Sequence, residues 1–156
     1  MAYFRETRNV ELSTIEFLTA QINASWTGVT TVKTFQEAEA AKLPVVCIRL
    51  LDTLSTTREI GQTLLAHNYN IVIDIFAKSD GQRLDLADFI TNLIPDGWVY
   101  YEYSHTPGHP DQLSTSAAGR VNFQSILENR RIDFYETIED QDKYRHIISF
   151  LVRKHV

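Results

Sequence analysis

Residues 67–95, HNYNIVIDIFAKSDGQRLDLADFITNLIP, constrain the chain more than any other stretch, because the hydrophobic period changes partway along them. Over residues 70–78, Ile71, Val72, Ile73, Ile75 and Phe76 are β-branched or aromatic, the composition of a strand with at least one buried face. Ser79-Asp80-Gly81-Gln82 has the Ser-x-x-Gln spacing of a capping box. In that motif the serine hydroxyl accepts from the backbone N–H of Gln82 and the Gln82 side chain reaches back. Beyond it Leu84, Ala87, Ile90 or Thr91, and Ile94 recur at helical spacing, with Leu86, Phe89 and Leu93 widening the apolar stripe. Pro95-Asp96-Gly97 ends the helix, since proline breaks the hydrogen-bond pattern and glycine supplies the turn.

The other segments are read around this strand and helix. Residues 9–26 predict a first helix from Leu12, Ile15, Leu18 or Thr19, Ile22 and Trp26, with Asn9 or Ser13 as its N-cap and Gly28 at its end. Residues 29–35 suit a short edge strand, 36–42 two turns of alanine-rich helix, and 43–51 a strand opened by Pro44. Residues 52–66 read as a long excursion between two antiparallel strands, either an extended hairpin arm or a mobile loop. In residues 98–104, WVYYEYS, strict alternation sends Trp98, Tyr100 and Glu102 one way and Val99, Tyr101 and Tyr103 the other. Residues 105–119, rich in Pro, Gly and small polar side chains, read as a surface loop. A weak strand follows at 121–126. Residues 130–137 and 144–153 then form a hairpin around 138–142, with His146, Ile148, Phe150 and Val152 on one face. No internal repeat or domain linker is read. The expectation is one domain over residues 1–156, of α+β class: a mostly antiparallel β-sheet flanked on one face by two α-helices, with a long hairpin or loop excursion.

A formal net charge of −5 leaves the whole chain without an electrostatic footprint for gripping nucleic acid. Arg130-Arg131, and Arg145 with Arg153-Lys154, are the local basic clusters, read as solvated strand faces. The single cysteine, Cys47, sits in an apolar run and reads as a small buried hydrophobe. The opening MAYFRETRN predicts no secretory signal, and no apolar run approaches the roughly 20 residues that span a bilayer, so a soluble, reducing setting is expected.

Chemistry has few footholds. His105, His109 and Asp111 are the only clustered metal-ligand types, yet they lie in a Pro/Gly-rich stretch without a third histidine or cysteine nearby. Asp74 interrupts an apolar strand; it is read as lying on the other strand face, exposed or paired at an interface, rather than as an acid or base. No GxGxxG, GxxxxGK or GxSxG spacing occurs. Trp98, Tyr100, Tyr101 and Tyr103 are a stacking platform of the kind single-strand binders use, but without interleaved Lys or Arg they suit a core or a subunit interface better.

Several stretches together resemble the tail terminator, or tail completion, proteins of long-tailed bacteriophages. These are Arg58-Glu59-Ile60-Gly61, IVIDIFAKS from Ile71, DLADFITNLI from Asp85, and RHIISFLVRKH from Arg145. The resemblance spans residues 43 to the C-terminus and implies a structural virion protein with neither catalysis nor cofactor. It implies a six-fold homo-oligomeric ring at the head-proximal end of the tail tube, which stops tube polymerisation and docks the head connector. Genomic DNA would pass through its lumen without sequence-specific binding, there would be no membrane partner, and assembly would occur in the host cytoplasm. Acidic side chains facing such a lumen would keep DNA from sticking. The partner surfaces expected on this reading are residues 52–66, with Arg58, Glu59 and Ile60, and residues 105–119, with His105, His109 and Asp111. The alternatives are another neck component, such as a head-completion or connector protein, a small metal-dependent enzyme using His105, His109 and Asp111, and a single-strand nucleic-acid binder.

Overall fold

The computed structural model describes residues 4–57, 65–132 and 144–155. Its elements are α1 (Glu6–Ser25), β1 (Thr30–Val32), α2 (Phe35–Ala40), β2 (Val45–Thr57), β3 (Leu65–Phe76), α3 (Asp80–Leu93), β4 (Trp98–Thr106), β5 (His109–Ile132) and β6 (Arg145–His155). The strands form one curled sheet in the order β1-β2-β3-β6-β5-β4. The class is mixed α+β as expected. Among the described residues there are three helices rather than two, and the sheet is mostly antiparallel as expected, with β1 parallel to β2 and the other pairings antiparallel.

Alternation along the strands divides the sheet into two faces. On the inner face Val46 and Ile48 of β2, Ile71, Ile73 and Ile75 of β3, and Ile148, Phe150 and Val152 of β6 form the main core with Val10, Leu18 and Ile22 of α1 and Leu86, Ala87 and Ile90 of α3. The intervening residues point outward. There Val45, Cys47 and Phe76 make a second, smaller cluster with Ala38 of α2. Helices therefore cover both faces, not one. Burial of the thiol pushes the Cys47 pKa up to about 11, so the group is a packed hydrophobe.

The capping box at Ser79 forms: its Oγ accepts from the Gln82 N–H at 3.2 Å, and Gln82 Oε1 accepts from the Lys78 N–H at 2.9 Å. Leu84, placed in the apolar stripe by spacing, is instead exposed, and Arg83 takes an inward position. A short 3-10 turn (Ile94–Asp96) leads to Gly97, whose φ of 69° and whose close approach to the Val121 carbonyl both exclude a side chain. In β4 burial departs from strict alternation. Trp98, Tyr100 and Tyr103 are buried and Glu102 is exposed, Tyr103 being held against α1 by Glu16 and Asn9.

The largest departure concerns residues 105–119. They are not a loop. Pro107 and Gly108, the latter at φ 77°, form the turn, and β5 then runs unbroken for 24 residues. Weak strand formers such as Ser114, Ser116 and Ala117 are held by pairing with the tyrosine-rich β4.

Helix α1 starts at Glu6, earlier than either expected N-cap, because Asn9 and Ser13 have other work. Asn9 Oδ1 accepts from the Tyr103 N–H at 3.3 Å and Ser13 Oγ from the Tyr101 N–H at 3.0 Å. Both satisfy the outer edge of β4. Glu11 Oε2 accepts from the Leu50 N–H at 2.9 Å, on the outer edge of β2. One helix thus bridges the two margins of the curled sheet. Asn9 is buried and also donates to Tyr100 Oη, so Asn9→Ala strands two polar groups and is expected to cost about 1–3 kcal/mol. Urea unfolding checks this as a lower midpoint at unchanged slope.

Candidate assembly surfaces

The register of β6 against its neighbours creates the most distinctive surface. On one side the pairing with β3 ends at Tyr69↔Val152, and on the other the pairing with β5 ends at Arg120↔His155. Beyond Tyr69, β3 continues to Leu65 with β2 beside it, level with the last residues of β6, whereas β5 continues to His109 past the end of β6 with β4 beside it. Two hairpin arms therefore stand at the same end of the sheet, a short one of β2 and β3 and a long one of β4 and β5. At about 3.3 Å per residue the part of β5 outside β6 is roughly 33 Å long. Leu54 and Leu65 on one arm and Leu113 on the other are 48–50% exposed. The excursion at 52–66 thus takes the hairpin-arm form of its two expected alternatives, as far as Thr57 and from Leu65.

His105, His109 and Asp111 all lie on the β4–β5 arm. His105 pairs with Leu113 and packs edge-on against Phe4, while His109 pairs with Thr106 across the turn. Among the described residues no group of three or more His, Cys, Asp or Glu side chains is placed to hold a metal ion. Arg58, Glu59 and Ile60, and the hairpin at 138–142, lie outside the described residues. The aromatic strand is closed to bases: Trp98 stacks on Phe17 with ring centroids 5.2 Å apart, and the Tyr103 hydroxyl donates to Glu16.

A feature the sequence reading passed over is a hexapeptide shared by the arms. Asp52-Thr-Leu-Ser-Thr-Thr57 on β2 and Asp111-Gln-Leu-Ser-Thr-Ser116 on β5 both follow the pattern D-x-L-S-T-(S/T). It is too short to register as a repeat by composition. It becomes visible once both copies are seen on projecting strands.

Two buried polar clusters support these surfaces. Asp74 is fully buried on the outer face and accepts from Arg49 at 3.3 Å and Arg145 at 2.9 Å, one from each neighbouring strand. It is neither exposed nor held for an interface, and its partners come from positions 25 and 71 residues away, invisible to local spacing. Phe35 of α2 covers the pair, its ring centroid 4.1 Å from the Arg49 guanidinium carbon and 5.1 Å from that of Arg145.

On the inner face Arg83 donates to His146 Nδ1 at 2.6 Å and to Asp80 at 2.8 Å. The opposite ring nitrogen of His146 lies 2.6 Å from Asn129 Oδ1, so the imidazole is neutral with its proton on Nε2. Burial first, and then the Arg83 charge, lower the His146 pKa to about 4. Tyr69, Tyr100 and Tyr103 are raised chiefly by burial, and Glu6 and Glu16 push Tyr69 and Tyr103 further. These groups hold α1 and α3 to the sheet.

No family model matches the chain, and no curated protein matches it.

The clusters yield two predictions. Asp74→Ala removes the buried carboxylate that Arg49 and Arg145 share and is expected to cost about 3–5 kcal/mol, read from chemical unfolding. For His146 the folded pKa lies below the unfolded one, so the unfolded chain binds the extra proton. The stabilisation is present above pH 6.5 and is lost as pH falls towards about 4, by up to about 3 kcal/mol. His146→Asn should flatten this part of the stability profile, taken as the difference from wild type between pH 4 and 7.

Proposed function

We propose that this chain is a structural subunit of a long-tailed bacteriophage: a tail terminator that forms a six-fold ring on the head-proximal end of the tail tube, halts tube growth and presents the docking surface for the head connector. The observation that carries the reading is the pair of hairpin arms. The shorter parts from β6 beside its last residues, the longer runs on past them, and both leave strand edges without partners among the described residues. Such edges, with exposed leucines beside them, suit the addition of strands from another chain. The body between them is tied by buried polar clusters and by α1, which is what a ring subunit needs if its arms are to hold a fixed geometry.

The sequence resemblance in residues 71–79, 85–94 and 145–155 falls on β3, α3 and β6, the centre of this body. Substrate turnover has no part in the reading. The subunit acts by shape, through contacts with copies of itself, with tube protein below and with connector protein above, while DNA passes through the lumen.

The test is the native mass of the purified chain by light scattering, alone and with tail tube protein, together with tube length by electron microscopy. A closed ring, or a monomer that becomes a ring on the tube, is expected, and adding it to polymerising tube protein should shorten the tubes. A chain that stays monomeric and leaves tube length unchanged overturns the proposal.

A further inference from the structure

We infer that two copies of this chain pair through the long arm: the open edge of β5 around residues 113–119 in one copy lies antiparallel against the same edge of the other, about a two-fold axis normal to the sheet beside Leu113. The inference goes beyond the assembly reading and does not rest on it.

The first ground is an edge whose hydrogen-bonding groups face outward. Tyr101 and Tyr103 donate their backbone N–H groups to Ser13 and Asn9 at the margin of β4, away from β5. In an antiparallel ladder, directly opposite residues either exchange both hydrogen bonds or turn both sets of groups away from each other. The partners of these tyrosines, Ala117 and Thr115, therefore turn their N–H and C=O groups away from β4, and Leu113, two residues along, does the same. Strand β6 takes up this side of β5 only from Arg120 onward, so among the described residues these groups meet no strand. The side chains of residues 109–117 are all exposed.

The second ground is composition. Exposed edges are ordinarily blunted by lysine, by proline or by inward charges. Residues 112–119, QLSTSAAG, contain none of these. A second copy of this edge is therefore met without like charges directly opposite, which is the arrangement that destabilises cross-strand pairs. Leu113 is the exposed large apolar side chain of this edge, and on the axis it packs against its own counterpart.

Symmetry is the third. The open edge of β5 faces the β6 side of the sheet. A half-turn about the sheet normal brings that side of a second copy against it and reverses the strand direction, so the two β5 edges meet antiparallel. Length sets the register. Leu113 is midway between Pro107 at the turn and Gly119, the last residue before β6 begins to pair. An axis there brings each turn level with Gly119 of the other copy, short of the end of β6, and sets the outward groups of Leu113 opposite those of its counterpart. The contact is isologous and ends at two copies, so it does not close a ring. On the assembly reading it joins two rings arm to arm.

The experiment uses the full chain. Leu113→Cys, treated with a short bis-maleimide and read on a denaturing gel, is expected to give a dimer band. Ala117→Cys is expected to give none, since antiparallel pairing about Leu113 sets the two copies of that position about 26 Å apart along the strands. Native Cys47 is fully buried and stays silent. A dimer from A117C, or none from L113C, overturns the inference. Leu113→Lys and Leu113→Asp each set like charges face to face on the axis. Each should raise the dissociation constant of the pair roughly tenfold or more at an unchanged thermal midpoint, and an equimolar mixture of the two should restore the wild-type mass by light scattering. Equal masses for wild type and both variants, or a mixture that stays apart, overturn the pairing and leave the assembly reading intact. A wild-type dimer that L113K splits into monomers, with no effect on tail tube length, upholds the pairing and removes the assembly reading.

Discussion

The fold depends on α1 lying across a curled sheet and satisfying main-chain donors at both of its margins. An unpaired buried N–H costs about as much as a lost hydrogen bond, and an unpaired exposed one is a template for another strand. Asn9 and Ser13 deal with β4, and Glu11 deals with β2 where β1 stops. The side chains that reach the edges lie within five residues, just over one turn of helix, so the apolar stripe of Val10, Leu18 and Ile22 can still face the core. Closing the body in this way concentrates the unfinished strand edges on the arms. The same helix that completes the domain thus determines where the domain remains incomplete.

The second constraint is register. Asp74 reaches Arg49 on one neighbouring strand and Arg145 on the other, so three strands are tied at one point. A slip of β3 by one residue would carry the carboxylate to the inner face, between Ile48 and Ile148, and turn Ile73 and Ile75 outward. Burying these ions has a desolvation cost that limits their net contribution, but the penalty for the wrong register is larger than for the right one. Arg83 and His146 do similar work for α3. A neutral imidazole between a guanidinium and an amide fits only one placement of the helix over β6 and β5.

How far the sequence reached follows from where the determinants sit. The β3–α3 unit was legible because its signals are local: β-branched density, the Ser79 box and the Pro95–Gly97 stop all fall within a few residues. So was β6, where the expected inward residues His146, Ile148, Phe150 and Val152 are all buried, joined by Ser149 on the other face. The β4–β5 arm was not, because Ser, Thr, Ala and Gln carry no hydrophobic period, and their conformation is decided by a partner strand. Asn9 and Ser13 have the chemistry of caps, and nothing in their neighbours says that they serve β4, some ninety residues away. Asp74 fell to the same difficulty, its partners being distant in the chain. Leu84 matched a helical spacing but sits one position outside the buried arc, since Arg83 occupies the inward place through Asp80 and His146.

Charge is distributed in a way that bears on association. The chain carries 35 formally charged Asp, Glu, Lys and Arg residues, the 20 acidic and 15 basic, yet residues 53–57 and 112–119 hold none. At physiological salt, repulsion between exposed charges fades over about 8 Å, so net charge on the body opposes random close approach but acts weakly on residues 112–119, which lie past the end of β6. An edge placed there can be approached at short range without first overcoming the repulsion of the body behind it. Backbone hydrogen bonds supply little discrimination on their own, because all strands offer the same donors and acceptors. Discrimination has to come from side chains beside the edge, and the two arms carry the same leucine, serine and threonine in the same order.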